Sequence, residues 1–202
     1  MSPEDPPKRP TPGVPGAAGV LVFVHNSQLP RMNDVLDKIN QRDKRVSKEV
    51  VTLYTVTPTR EGVRALCAEL QVHPSLAHVS DIDKLRPNNA LRDLTAPWRM
   101  LPEFTSTYSL LVGLEDTTEE LLRKYPHPNL TLQAGKIEEN ETPFECAVRE
   151  LFEEARVKPS HVYGPPVGLM SKGMLMYSVY VHDSTHLELV DDILYITEPV
   201  CA

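Results

Sequence analysis

The stretch GKIEENETPFECAVRELFEEARV, residues 135–157, decides the fold because it combines a helix start, an apolar face and clustered acids. Thr142, Pro143 and Glu145 predict a capping box, in which the threonine caps the helix and the glutamate reaches back to it. Proline suits the first helical position because the missing N–H is not needed there. We expect Thr142→Ala to cost ~1 kcal/mol of stability. The sequence therefore predicts a helix that begins at Pro143.

One face of this helix is apolar and predicts packing against a core. Its members recur at helical spacing and are Phe144, Ala147, Val148, Leu151 and Ala155.

Three carboxylates, Glu150, Glu153 and Glu154, crowd the second half of the same helix. At this spacing each like-charged pair destabilises a helix by ~0.2–0.5 kcal/mol, and the helix dipole also disfavours negative charge there. A hard divalent cation would relieve both penalties, because Mg²⁺ prefers carboxylate oxygens and substrate phosphates. The alternative is a solvated acidic face, on which Arg149 pairs with Glu145 or Glu153.

The order of residues resembles the Nudix box, the signature of hydrolases that cleave nucleoside diphosphates linked to another moiety. That pattern is a glycine, a spaced glutamate, Arg-Glu, an aliphatic residue, two glutamates, a glycine and an aliphatic residue. The wording GKIE…ETP…AVREL also resembles the MutT branch of the family. The matching positions are Gly135, Glu141, Arg149, Glu150, Leu151, Glu153, Glu154, Arg156 and Val157, with arginine in place of the final glycine.

The resemblance implies an α/β fold, a Nudix-type α/β/α sandwich in which the box forms a loop, a helix and a loop. Glu150, Glu153 and Glu154 would ligate Mg²⁺ or Mn²⁺, with the backbone carbonyl of Ala134 as a further ligand. The implied activity is hydrolysis of a diphosphate linkage, which depends mostly on positioning and on charge neutralisation by metals.

The resemblance also assigns roles around the cation. Arg149 and Glu141 would form a buried ion pair that orients the helix. One of the three glutamates, or an acid from a later loop, would act as the general base. Lys136 and Glu188 are the candidates for substrate contact. The later acids that could supply a ligand or base are Glu188, Asp191, Asp192 and Glu198.

Two residues depart from the pattern. Arg156 stands where a left-handed helix end favours glycine, and a side chain there costs roughly 1 kcal/mol. Ala134 stands where relatives often have a second glycine, and a left-handed backbone would strain it.

The residues after 103 are also few for this fold, so we expect residues 19–95 or a partner chain to cover the second face of the sheet.

The pattern along the chain divides it into three parts. Residues 1–18 are proline-rich and predict a disordered tail. Residues 19–95 predict a small α/β accessory domain, and residues 96–202 predict the Nudix-like domain. The accessory domain is built from predicted strands at 20–24, 49–56 and 76–79 and predicted helices at 32–40 and 60–70, and a surface linker is predicted at 85–104.

Composition limits the partners. The chain of 202 residues has 21 Lys and Arg against 28 Asp and Glu, a net charge of −7, which excludes a strongly basic nucleic-acid footprint overall. The basic segment 41–48 is either a solvated loop or a phosphate-binding surface. Three cysteines without metal spacing predict an intracellular protein, in the cytoplasm or the mitochondrial matrix. No apolar run is long enough for a membrane span.

Two functions follow. The first is a metal-dependent hydrolase of a diphosphate linkage in a nucleotide or at an RNA 5′ end. The alternative is a catalytically weak or inactive Nudix-fold subunit that binds RNA or scaffolds a protein complex. The expected partners are a nucleotide or 5′-phosphorylated RNA together with a protein partner or oligomer.

Overall fold

The fold is a mixed β-sheet with helices on both faces. The structure, a computed structural model, describes residues 15–41, 50–71, 86–87, 102–115, 129–164, 169–170 and 173–197. The helices of the described part are α1 (Leu29–Asn40), α2 (Arg60–Gln71), α3 (Pro102–Thr107) and α4 (Pro143–Ala155). Its strands are β1 (Ala17–His25), β2 (Val50–Val56), β3 (Arg86–Pro87), β4 (Tyr108–Glu115), β5 (Asn129–Thr131), β6 (Gln133–Lys136), β7 (Val157–Pro159), β8 (Leu169–Met170), β9 (Met174–Val181), β10 (Leu187–Val190) and β11 (Ile193–Ile196).

The central strand of the large sheet is β1. The described strands of this sheet follow the order β3-β5-β4-β1-β9-β8, with β2 added on β4 and β6 added on β1. Residues 17–24 of β1 pair in parallel with β9 along their whole length. The other edge of β1 is shared, because residues 23–25 pair with β4 and residues 17–20 pair with β6. Strand β6 contains Gly135, the first residue of the glycine and glutamate pattern described above. Because β6 pairs with β1, β1 sets the position of this glycine.

The large sheet crosses the boundary that the sequence predicts at residue 95. Strands β1 and β2, from the predicted accessory domain, are hydrogen-bonded to β4, β6 and β9 of the predicted Nudix-like domain. They therefore form no sheet of their own. The pairing joins residues far apart in sequence, which periodicity within short windows does not report. The first 14 residues of the predicted tail lie outside the described residues, whereas Ala17 and Ala18 belong to β1. The predicted strand at 76–79 also lies outside them.

Each face of the sheet has its own core. On one face, alternate residues of β1 such as Val20 and Val22 pack with α1 and α4. On the other face, Leu21 and Phe23 pack with α2, and Phe104 of α3 adds to this second cluster. This alternation gives three layers and confirms the predicted α/β class. It also answers the question of the second face, because α2 lies within the range 19–95 that was expected to cover it.

A second, smaller sheet follows α4. Its described strands have the order β10-β11-β7, with β10 antiparallel and β7 parallel to β11. Leu187, Leu194 and Ile196 join it to the core on the α4 side. None of the helices in the described part of the chain has the length and apolar character that crossing a bilayer requires.

Candidate active site on helix α4

The start of α4 has the predicted capping box. Thr142 Oγ1 accepts a hydrogen bond from the Glu145 N–H at 3.2 Å, and Glu145 Oε2 accepts one from the Thr142 N–H at 2.8 Å. This backbone hydrogen bond is the main cause that lowers the pKa of Glu145 below its usual value. The prediction of the helix start at Pro143 is confirmed.

The buried face of α4 differs from the predicted stripe. Phe144 is 46% exposed and contacts Tyr177 edge to face, with 5.5 Å between the ring centroids. Glu150 and Glu154 are each only 6% exposed. The predicted stripe contains apolar residues only, whereas the inner face of the helix also holds polar side chains. The buried residues of the helix are Cys146, Ala147, Glu150, Leu151, Glu154 and Ala155.

The carboxylate of Glu154 is tied to the strand beneath it. Its Oε2 accepts a hydrogen bond from the Ala134 N–H at 3.0 Å. Ala134 lies in strand β6 and is not among the described residues with a left-handed backbone, so the strain considered for alanine is absent. Gly19 explains how the alanine fits, because a Cβ at residue 19 would collide with the Ala134 Cβ and the Gln133 carbonyl oxygen.

The carboxylate of Glu150 rests on Gly135. A Cβ added at residue 135 would overlap the Glu150 carboxyl group, so the glycine provides the space that this side chain occupies. The motif's glycine is therefore required for close approach, and its φ is not in the left-handed region. Two buried acids thus lie against one short stretch of backbone, Ala134–Gly135.

Arg149 links the acids of the box. It holds Glu141 by two hydrogen bonds, Nε to Oε1 at 2.7 Å and Nη2 to Oε2 at 3.0 Å. The predicted ion pair between these two residues is present, but it is partly exposed instead of buried, with 25% of the Arg149 side chain and 13% of the Glu141 side chain accessible. The hydrogen bonds from Arg149 lower the pKa of Glu141 to about 2, and those bonds in turn raise the pKa of Arg149. Nη1 donates to Glu150 at 2.7 Å and to Glu153 at 3.1 Å.

Cys146 is a site residue that the sequence analysis missed. Its Sγ lies 3.5 Å from the Gly135 carbonyl oxygen and 3.4 Å from that of Lys136, beneath the loop that leads into the helix. Burial raises its pKa to about 11, so the thiol stays protonated at neutral pH. The signal was present in the sequence, because Cys146 precedes Glu150 and Glu154 by one and two helical turns.

The helix ends at Arg156 in the left-handed conformation, with φ of 56°. Its N–H donates to the Phe152 carbonyl oxygen at 2.9 Å, and its own carbonyl accepts from the Leu194 N–H at 2.9 Å. The guanidinium carbon lies 5.1 Å from the centroid of the Phe152 ring, a cation–π contact. Such contacts are worth ~0.5–1 kcal/mol, which offsets part of the cost of a side chain at this position.

The remaining predicted residues lie apart from this cluster. The Lys136 side chain is exposed on β6, while its backbone carbonyl accepts from Arg149 Nη2 at 3.1 Å. Glu188 is exposed on β10 in the small sheet, in register with Tyr195. Asp191 and Asp192 form the β10–β11 turn with left-handed φ values of 49° and 61°. Glu198 lies outside the described residues.

The donor chemistry fits a hard cation. Glu150, Glu153, Glu154 and the Ala134 carbonyl all offer oxygen atoms, which Mg²⁺ and Mn²⁺ prefer. Among the residues described, no three acidic, histidine or cysteine side chains are already arranged around one point as a metal site. The reason is visible in the contacts, because Glu150 and Glu153 turn to Arg149 and Glu154 turns to the Ala134 N–H.

Comparison with known proteins identifies the class. Residues 112–184 match the NUDIX domain, a segment that contains the whole of α4 and its preceding loop. Residues 112–184 are therefore similar to the Nudix domain of the Nudix hydrolases, which typically use divalent metals. No curated protein and no solved structure matches the chain. Strand β1 lies before the matched segment, although it forms the centre of the sheet.

Proposed function

We propose that the chain is a Mg²⁺- or Mn²⁺-dependent hydrolase of a diphosphate linkage in a nucleotide or at an RNA 5′ end. The observation that carries this proposal is the pair of buried carboxylates, Glu150 and Glu154, held against the backbone of Ala134 and Gly135. Burial of acids is costly unless they are paired or coordinate a metal. Natural proteins accept such local costs mainly at functional sites.

The proposed roles follow from the contacts. Glu150, Glu153 and Glu154, with the Ala134 carbonyl, hold the cation, and the cation when bound neutralises diphosphate charge and lowers the pKa of its water. Glu153 is the accessible member, since 53% of its side chain is exposed. This exposure favours Glu153, among the three, for moving a proton from the attacking water.

The ion pair of Arg149 with Glu141 connects helix α4 to the loop that precedes it. A bidentate arginine–carboxylate pair fixes geometry as well as charge, so it holds the loop at Glu141 against the helix. The ammonium of Lys136 is free to reach a phosphate because the side chain projects into solvent from β6. Glu188 stays a proposed substrate contact from the small sheet.

A second candidate function rests on the same arginine. Because Arg149 forms ion pairs with Glu150 and Glu153, these two acids have a positively charged partner even without a cation. A Nudix-fold subunit that binds RNA or a protein partner and turns nothing over would have this property too.

One panel separates the two functions. The full chain and its Glu154→Gln variant are incubated with Mg²⁺ or Mn²⁺ and nucleoside triphosphates, dinucleoside and sugar diphosphates, and triphosphorylated and capped RNA. The matched control is Glu139→Gln, an exposed acid of the same loop. Phosphate or diphosphate release by wild type and Glu139→Gln, with a loss of more than about 100-fold in Glu154→Gln, supports the hydrolase. Inactivity of all three proteins with retained RNA binding supports the subunit.

A further inference from the structure

The guanidinium of Arg149 is divided between two sets of partners. One edge, Nε with Nη2, grips Glu141 through 2.7 Å and 3.0 Å hydrogen bonds, and Nη2 also donates to the Lys136 carbonyl oxygen at 3.1 Å. The remaining nitrogen, Nη1, is shared between Glu150 at 2.7 Å and Glu153 at 3.1 Å. The grip on Glu141 is therefore bidentate, whereas each of the other two acids receives one hydrogen bond.

Several acids share the charge of Arg149. Among the contacts of the described residues, its guanidinium faces Glu141, Glu150 and Glu153, while Glu154 accepts a hydrogen bond from the Ala134 N–H. An incoming divalent cation would share the Glu150 and Glu153 carboxylates with Nη1, and two positive charges near 4 Å apart repel strongly where water is partly excluded. Cation binding and the two Nη1 contacts therefore oppose one another.

We infer that Arg149 Nη1 is the resident counter-charge of Glu150 and Glu153, and that a divalent cation binds by displacing it while Glu141 retains the guanidinium beside the site. This inference rests on the metal dependence in the proposed function. It makes Arg149 a competitor of the cation and Glu141 a positioning residue that sets the strength of the competition.

The competition has a quantitative consequence. The apparent affinity for a cation is reduced by the fraction of molecules in which the acids are released from Arg149. Removing the arginine charge raises that fraction to one, so binding becomes tighter. Removing the Glu141 charge leaves the arginine with only Glu150 and Glu153 as carboxylate partners among its present contacts, so binding becomes weaker. An ion pair that only supports the helix predicts weaker binding in both cases, because either change loosens the same support.

The test is a calorimetric titration of the full-length chain with Mn²⁺ alone. Wild type is compared with Arg149→Gln, with Glu141→Gln and with the exposed control Glu139→Gln, after circular dichroism has verified the folding of each. We expect the Mn²⁺ Kd to fall about fivefold in Arg149→Gln and to rise about fivefold in Glu141→Gln, the lower range of ordinary coupling between two sites. Glu139→Gln should match wild type.

The outcomes separate this inference from the proposed function. If wild type binds Mn²⁺ but Arg149→Gln binds it more weakly, the competition is overturned and the metal-dependent hydrolase stands. If wild type binds no Mn²⁺, both are overturned. Should Arg149→Gln fail to fold, Arg149→Met decides, because methionine keeps an unbranched apolar stem and removes the charge. Tighter Mn²⁺ binding by that variant supports the competition, and equal or weaker binding overturns it.

Discussion

The two ends of helix α4 follow opposite rules. The first turn, from Thr142 to Glu145, has a capping threonine, a proline at the first position and an acid near the positive end of the helix dipole. The last turns place Glu150, Glu153 and Glu154 near the negative end, and the helix closes on a left-handed arginine. The first end is built for stability, and the second carries groups that local helix energetics disfavour.

The difference shows how the helix tolerates its charged end. Local terms at a helix end amount to a few tenths of a kcal/mol up to about 1 kcal/mol each. Burial of a side chain such as Leu151, which is fully buried between the two ends, contributes ~2 kcal/mol. The core on one face of the sheet therefore holds the helix in place. The second end can carry functional acids because the stability of the helix does not depend on that end.

The largest effect is expected where the second end meets the strand. Gly135→Ala places a Cβ in the space of the Glu150 carboxylate, so this flexible side chain must turn away. We expect the affinity for Mn²⁺ to fall ~10–100-fold, with little loss of stability, in calorimetric titrations and thermal unfolding. Gly16→Ala is the matched control, since a Cβ there meets nothing within 4 Å. An unchanged Mn²⁺ affinity in Gly135→Ala would contradict the proposed place of Glu150 in the site.

The next largest effect is expected at the first end of helix α4. Thr142→Ala removes the acceptor of the Glu145 N–H and should lower the free energy of unfolding by ~1 kcal/mol in urea titrations. Thr142→Ser keeps the hydroxyl and should stay close to wild type. Equal stability of the alanine and serine variants would show that the cap adds nothing to the first end.

A smaller effect, an increase in stability, is expected at Arg156, where helix α4 ends. Arg156→Gly relieves the left-handed strain of about 1 kcal/mol and loses the cation–π contact with Phe152 of ~0.5 kcal/mol. The free energy of unfolding should therefore rise by about 0.5 kcal/mol. Arg156→Ala loses the contact and keeps the strain, so it should be less stable than wild type. A glycine variant less stable than the alanine variant would contradict this account.

The smallest effect concerns pH. Because Arg149 lowers the pKa of Glu141 from 4.5 to about 2, the carboxylate form is favoured in the folded state. Its contribution to stability is fully present above pH 4.5 and is lost as the pH falls toward 2. The effect is small because partly exposed ion pairs contribute little. Urea titrations at several pH values should show the gap between wild type and Glu141→Gln shrinking as the pH falls. A gap that stays constant would mean that the pair does not stabilise the fold.

Local sequence was enough for the features that depend on neighbours in the chain. The capping box, the helix and the identity of its acids follow from spacing within one short segment, and α1, β2 and α2 follow from their own periodicity. Phe144 was misplaced because the pattern was drawn through apolar residues only. Cys146 and the two buried glutamates occupy the inner face because the strand beneath them offers N–H groups and the space above Gly135.

Contacts between distant segments could not be predicted in this way. Spacing allowed Arg149 to pair with Glu145 or Glu153, and the resemblance implied Glu141. The fold shows that it bonds Glu141 and Glu153 and also reaches Glu150. The pairing of β1 and β2 with strands beyond residue 95 is a contact of the same kind. A change in composition along the chain suggests a domain border. Strands can nevertheless form hydrogen bonds with each other whatever the length of chain between them.

The place of β1 has a consequence for how the chain reaches its native state. Its residues 17–24 pair with residues 174–181, and its other edge holds β6 in front of the helix. During synthesis the strand must wait until residue 181 has been made before its parallel partner is complete. Pairings of such large sequence separation form slowly, because the chain loses the entropy of closing a long loop before the contact stabilises it. We therefore expect the carboxylate cluster to take its final shape only after these pairings have formed, and a fragment limited to residues 112–184 would lack the strand that pairs with β6.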